Sequence, residues 1–345
     1  MKASLKTISL FVSAALFTFT SLSAVETQPV GYTTLNIAAG TGAARTVTVL
    51  GLPLYAPANN IDGSSVGVIT SVTSNTISVS GAGWTDGQLS VAATPYIVRI
   101  TSGNAEGRNL LISANTIDTL TINTTASNVS DLTTLGITAS TDKYELVECD
   151  TLSSLFGEPV EGGIVGGADS TTADVIFMFV GGSWSRVYYD TDVSYWTKVT
   201  FGSPNFSNQV IMPDAGLLYS RLSNTSSDFV ITGTVPNTAR SLTINKSGVT
   251  PVANAWPTNI TLLESEIQNA PNWVASSDSS VADKVFVFDG SWSRYYHDGT
   301  NWRKITFGTP ISDSTVISSG SAVLISKTSA DLNDSTLTQS VPYTL

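Results

Sequence analysis

The sequence predicts an all-β protein: two similar antiparallel β-modules, with an unrepeated small β-barrel or sandwich domain inserted in the first. Three observations carry that expectation. Apolar and β-branched residues alternate with polar ones in short runs, separated by Gly, Asn, Asp and Pro, which is how strands and turns are written. An aromatic segment occurs twice, as DVIFMFVGGSWSRVYYDTDVSYWTKVTFGSP from Asp174 and DKVFVFDGSWSRYYHDGTNWRKITFGTP from Asp283. The stretch from 58 to 148 has no second copy. A repeat of this quality constrains architecture before any motif does.

Whole-chain composition bounds the rest. At 345 residues the chain is long enough for two or three domains. Charged residues are 12%, about half the usual share, while apolar content is 41%, enough for a core and too much for disorder. Net charge is −11, and loss of Lys2 and Lys6 with a leader takes it to −13. Such a surface repels phosphate backbones, so nucleic acid is excluded as a partner.

Residues 1–24 read as a secretory signal peptide. Lys2 and Lys6 precede an apolar run from Ile8 to Phe19, and Ser21-Leu22-Ser23-Ala24 offers a small-residue cleavage site. No later run reaches transmembrane length, so the expectation is a secreted, cell-surface or periplasmic protein without a membrane span.

Two strands follow, VGYTTLNI and ARTVTVLGLP. The second, Ala44 to Val49, resembles Ala239 to Ile244, and the two are read as matching module openers. The first opener lies about 130 residues before Asp174, the second about 40 before Asp283. The excess is the unrepeated block. The predicted units are therefore 25–57 plus 149–236, an insert at 58–148, and 237–345, since whole domains insert readily at exposed loops.

Within the insert, VGVITSV, NTISVSG, QLSVA, PYIVRITSG, RNLLISA and DTLTINT read as strands. Tyr96 to Gly103 and Gly107 to Ser113 form a hairpin, and Asp131 to Lys143 accommodates a short helix. Asn75-Thr76-Ile77 and Asn115-Thr116-Ile117 each open a strand. Cys149 is the only cysteine, which excludes an intrachain disulfide and reads as a small buried hydrophobe.

Each aromatic copy predicts a three-stranded meander: Val175 to Phe179, Ser183 to Tyr189 and Trp196 to Phe201 in the first. Phe201 matches Phe307. Side chains alternate faces along a strand, so Trp184, Arg186 and Tyr188 share one face, as do Trp292, Arg294 and Tyr296. Trp196 with Lys198, and Trp302 with Lys304, share a face of the third strand. If those faces coincide, each module carries an aromatic ladder threaded with cations. The candidate ligand-binding residues are thus Trp184, Arg186, Tyr188, Trp196, Trp292, Arg294, Tyr296 and Trp302. Cross-strand packing, a platform for a sugar ring and a protein contact all fit that pattern.

The chain resembles an uncharacterised family of exported repeat proteins known mainly from verrucomicrobial genomes. The residues that carry the likeness are Val30-Gly31-Tyr32, the YxVxITSGxxxGR stretch from Tyr96 to Arg108, and TLxxLFG from Thr151 to Gly157. Ala173-Asp174 with Trp196-Thr197-Lys198 and Ala282-Asp283 with Trp302-Arg303-Lys304 complete it. The resemblance implies export and a shared fold, and no particular chemistry.

Catalytic signals are sparse. His297 is the only histidine and no Gly-x-Ser-x-Gly accompanies it, against a Ser-His-Asp triad. One Cys and one His exclude a structural zinc site. The glycine-rich run 162–167 lacks a following Lys-Ser/Thr. Asp190, Asp192 and Asp298 sit in turns that would explain them without Ca²⁺. Glu145, Glu148, Glu158, Glu161, Asp174 and Asp283 are available for a carboxylate glycosidase, but their spacing selects no pair. No cofactor and no metal are expected. The sequence points to a non-enzymatic structural or adhesive protein of the cell surface or extracellular matrix, with glycans or self-association as partners. A carbohydrate-binding module on the Trp/Arg/Tyr faces is the alternative, and a carboxylate glycoside hydrolase a lesser one.

Overall fold

The computed structural model describes residues 29–57, 61–159, 163–200, 202, 204–328 and 333–344. The predicted signal peptide, Glu161 and Phe201 lie outside the described residues. The chain is all-β, and the described residues form several antiparallel sheets with one short α-helix.

Strands β1 (Val30–Ile37) and β2 (Thr46–Leu50) come first. The next eight are β3 (Ala56–Pro57), β4 (Val66–Val68), β5 (Ser71–Val72), β6 (Thr76–Ser78), β7 (Tyr96–Ile100), β8 (Asn109–Asn115), β9 (Thr119–Ile122) and β10 (Lys143–Glu148). After helix α1 (Leu152–Phe156) come β11 (Val175–Val180), β12 (Ser183–Asp190), β13 (Tyr195–Lys198), β14 (Leu217–Arg221) and β15 (Ser227–Thr234). The last nine are β16 (Arg240–Ile244), β17 (Val249–Ala253), β18 (Ile260–Thr261), β19 (Lys284–Phe288), β20 (Trp292–His297), β21 (Trp302–Lys304), β22 (Val316–Ile317), β23 (Ala322–Ser326) and β24 (Ser335–Gln339).

Two five-stranded sheets share one order. The first runs β13-β12-β11-β14-β2 and the second β21-β20-β19-β23-β17; each is accompanied by a two-stranded ribbon, β1-β15 and β16-β24. Position by position, β1 corresponds to β16 and β2 to β17. That corrects the opener match. Ala239–Ile244 enters β16, whereas Ala44–Val49 runs into β2, the counterpart of β17. Six-residue runs in which polar and apolar residues alternate look alike wherever they sit in a sheet, so strand composition alone misassigned the partner.

Each five-stranded sheet buries one face. In the first module Ile176, Met178, Val187, Tyr189, Trp196, Leu217 and Tyr219 meet Phe156 of α1 and Phe229 of β15. In the second, Val285, Val287, Tyr295, Trp302, Val323 and Ile325 meet Trp256, Leu262 and Leu337. Thr151 starts α1 through a reciprocal cap: its hydroxyl accepts from Ser154 N–H, and the Ser154 hydroxyl accepts from Thr151 N–H. Thr261 and Glu264 repeat that exchange in the second module. The helix itself went unread in the sequence, because Thr-x-x-Ser is a weak cap signal.

The strands from β3 to β10 form their own eight-stranded sheet in the order β3-β10-β7-β8-β9-β6-β5, with β4 also beside β10. The segment 66–72 pairs with β10 at one end and β6 at the other, so the sheet returns on itself. Its interior is filled by Ile77, Trp84, Leu89, Val98, Ile100, Leu110, Leu120 and Tyr144. The separate sheet begins at Ala56, two residues before the predicted boundary. Gln88–Ser90, read as part of a strand, is a 3-10 turn, and Asn115 closes β8 rather than opening a strand. Between Asp131 and Lys143 the helical content is a 3-10 turn at Leu132–Leu135, capped by the Asp131 carboxylate. Among the described residues no helix is long and apolar enough to cross a membrane.

Candidate functional site

Strand register decides what the repeated aromatic residues can do. Trp184 stands opposite Phe179 and Arg186 opposite Phe177, on the outer face of the first sheet. Trp196 stands opposite Tyr189, on the inner face. The second module repeats this, with Trp292 opposite Phe288, Arg294 opposite Phe286, and Trp302 opposite His297. The two tryptophans of each copy therefore lie on opposite faces, so the faces do not coincide and a single ladder does not form. Trp196 and Trp302 are core residues. Their indole N–H groups bond the Gly157 carbonyl (3.0 Å) and the Gln268 amide oxygen (3.2 Å). Tyr188 and Tyr296 are buried as well.

What remains outside is a smaller unit at each hairpin tip. Trp184 is half-buried and edge-on to Phe179, centroids 5.5 Å apart; Trp292 is 40% exposed and edge-on to Phe288 at 5.1 Å. Arg186 and Arg294 are exposed beside them. The lysines lean elsewhere, Lys198 toward Phe206 and Lys304 toward Tyr295. His297 lies on the face opposite Trp292 and packs edge-on against Trp302. Burial holds its pKa below the ordinary histidine value.

Asp174, Asp283 and Glu145 among the candidate acids are engaged in structural contacts. Asp174, almost wholly buried, accepts from the Tyr219 hydroxyl (3.0 Å), the Val165 and Leu222 N–H groups and Arg221 (3.2 Å). Asp283 holds the same place in the second module. It accepts from Val274 and Thr328 N–H, with Lys327 3.8 Å away. Each is the lock between a hairpin and the end of the neighbouring strand. Asp190 and Asp298 serve their own turns: Asp190 accepts from Asp192 N–H, and Asp298 from Thr300 N–H, Asn301 N–H and Arg303. Glu145 pairs with Arg99 at 3.1 Å, and the Tyr96 hydroxyl lies 3.5 Å from Glu148. Glu158 is exposed. Cys149 is buried, and desolvation raises its thiol pKa.

A centre that the sequence did not disclose lies where the three sheets meet. Asp214, from the loop before β14, accepts from the Asn109 amide of the inserted sheet (2.6 Å) and from Arg240 of the second module (2.8 and 3.2 Å). Asn109 in turn accepts from Arg99, and Arg240 also donates to Ala253 O and to the Gln339 amide oxygen. The result is a buried relay, Glu145–Arg99–Asn109–Asp214–Arg240–Gln339, touching every unit of the chain. Arg108 sits beside it, and among the described residues its guanidinium bonds the Thr243 and Thr336 hydroxyls. Burial lowers its pKa to about 10, so it is still cationic at neutral pH. The signal available in the sequence was scarcity: in a chain with 16 basic residues, an arginine at the start of an apolar strand has a buried duty.

Beside this junction, Phe179, Gly181 and Gly182 of the β11–β12 turn face Arg108, Asn128, Thr250 and Pro251 across a cleft of about 70 Å³. That is far below the several hundred Å³ of a typical ligand pocket; the open clefts beside Asp228 and Glu145 measure about 470 and 350 Å³. Asp214, Asp228 and Glu145 line different clefts, none of which holds a second described acid. Among the described residues no group of three His, Cys, Asp or Glu side chains is placed to hold a metal ion.

No family model matches the chain, and neither a curated protein nor a solved structure is found to be similar to it.

Proposed function

We propose that this is an exported, non-enzymatic β-protein with a structural or adhesive role at the cell surface or in the extracellular matrix. The observation that carries the reading is where the charged side chains go. In a chain so poor in charge, Asp174, Asp214, Asp283, Glu145, Arg99, Arg221, Arg240 and Lys327 are engaged in ion pairs within and between the units. Groups that an enzyme would aim at a substrate are here turned inward, where they fix one sheet against another. The experiment is deletion of the gene in the source cell, with fractionation and a surface-attachment assay. Loss of attachment restored by the exported chain is the expected result; unchanged attachment with the protein retained inside the cell overturns the proposal.

A second reading, glycan binding, rests on the Phe–Trp–Arg tips, where Trp292, Arg186 and Arg294 are exposed and Trp184 is half-buried. Stacking of a sugar on Trp292 would be lost in Trp292→Ala while the fold is kept. A glycan array that gives no binding to the intact chain removes this reading.

A further inference from the structure

The two ribbons correspond in position but differ in what covers them. In the second module, strand β16 is hydrogen-bonded to β24 on one side and capped on the other by the inserted sheet. Ser241 N–H donates to Gly107 O at 3.2 Å, and Arg108 forms a parallel bridge to Ser241. Gly107 is required there. Its φ is +83°, and a Cβ would run into the Ala239 carbonyl and the Arg240 Cα. In the first module the matching strand β1 pairs with β15 over its whole length, and among the described residues no strand pairs with its other edge.

The groups on that edge can be worked out. Val235 N–H donates to Pro29 O, which makes 29 and 235 a hydrogen-bonded pair; in an antiparallel ladder such pairs alternate. Residues 31, 33, 35 and 37 therefore bond β15. Val30, Tyr32, Thr34 and Asn36 turn both N–H and C=O away from it. Thr234, opposite Val30, follows the same rule: its own N–H and C=O turn outward and bond Tyr55. The side chains agree. Val30 is 77% exposed, Tyr32 78% and, across the ribbon, Val230 64%. From 30 to 37 there is no charged residue, no proline and no bulge, the devices by which edge strands are normally protected.

We infer that β1 is a docking edge for β1 of a second copy of this chain, in an antiparallel, two-fold pairing; the inference deepens the structural and adhesive reading and rests on it. Three points select this occupant. The strand is self-complementary, since its four outward residues meet an inverted copy donor to acceptor, Val30 against Asn36 and Tyr32 against Thr34, about an axis at Thr33. An uncharged strand lets two strongly acidic molecules approach where repulsion is least. And the chain already covers the corresponding edge of its second module with its own backbone at Gly107. The product is a four-stranded sheet, β15-β1-β1-β15, continuous across the pair.

The test is sedimentation equilibrium of the mature chain with two variants. Thr34→Pro removes an outward donor and leaves the β15 ladder intact, since the Thr34 N–H does not point to β15. Tyr32→Lys places a charge on the edge. The wild type is expected to dimerise, and both variants to weaken the dimer by about tenfold or more with the folding transition nearly unmoved. Thr33→Cys should cross-link two copies under mild oxidation, because a non-hydrogen-bonded pair brings the Cα atoms within about 4.5 Å. A wild type that is monomeric at every concentration, a dimer that survives both variants, or a Thr33→Cys chain that does not cross-link overturns the inference. A monomeric protein whose deletion still abolishes attachment would leave the adhesive role standing and remove only this edge. Dimers whose loss leaves attachment unchanged would do the reverse.

Discussion

Replacing Asp214 by alanine should destabilise the protein far more than loss of a surface acid. Three bonds of 2.6, 2.8 and 3.2 Å end on its carboxylate, and the Arg240 side chain that supplies two of them is 2% exposed. Alanine leaves Arg240 bonded only through its Nη1 atom to Ala253 O and Gln339, and leaves the Asn109 amide without its acceptor. Removing one partner of a buried pair costs about 3–5 kcal/mol, because the remaining charge stays desolvated. For cooperative units of this size each kcal/mol moves Tm by about 2–4 °C, so the shift should be on the order of 10 °C. Differential scanning calorimetry has a second readout. The junction couples three sheets, so a single transition should broaden or split as they uncouple. Asp214→Leu combined with Arg240→Met should recover much of the loss, since an apolar replacement leaves no stranded charge. A shift below about 2 °C for Asp214→Ala would refute the argument that this carboxylate holds the units together.

Three further outcomes are expected. His297 is depressed below the usual 6.5 by burial, so it is neutral in the fold and prefers its proton in the unfolded chain. Stability should be complete above pH 6.5 and fall as pH drops from there toward the folded value, and His297→Tyr, the residue at the matching position 189, should flatten urea midpoints over that window. Gly216→Ala would put a Cβ 2.5 Å from that of Ala322 and 3.3 Å from that of Pro251, at the contact between the two five-stranded sheets; it should cost about 1–3 kcal/mol in urea unfolding, and Ala322→Gly should restore part of it. Asp298 accepts from Asn301 N–H, then Arg303 and Thr300 N–H, which lower its pKa to about 2. Its stabilising contribution is present above 3.8 and lost as pH falls through 2. Carboxyl NMR should place the midpoint there and show it rising in Arg303→Ala.

The fold class was legible because strands announce themselves by alternation, and the meander because its turns carry Gly181-Gly182 and Gly290. Faces within one strand were legible too: Trp184, Arg186 and Tyr188 do lie together. Relating two strands needs a register, which depends on turn length, and the turn from Thr191 to Ser194 sets Trp196 against Tyr189 rather than Tyr188. The buried ion pairs were hidden for another reason. Asp174 and Arg221 are 47 residues apart, and Asp214 and Arg240 belong to different units. Nothing local marks such partners; only the crossing of distant strands brings them together. Short apolar runs misled at Gln88–Ser90, where Asn115 Oδ1 captures the Leu89 N–H and curls the segment out of the sheet.

The inserted sheet enters at Ala56–Pro57 and leaves at Val147–Glu148, which are paired neighbours. The second module spans the corresponding stretch, from Ala253 to Ile260, without any such excursion. Geometrically the insert is an optional appendage. Mechanically it is a brace, because Arg108 and Asn128 grip the second module while Asn109 grips the first. Two beads joined by one seam can pivot; three bodies, each touching the other two, form a triangle. The shape is thereby held without a cross-link, in a chain whose lone thiol has no intrachain partner.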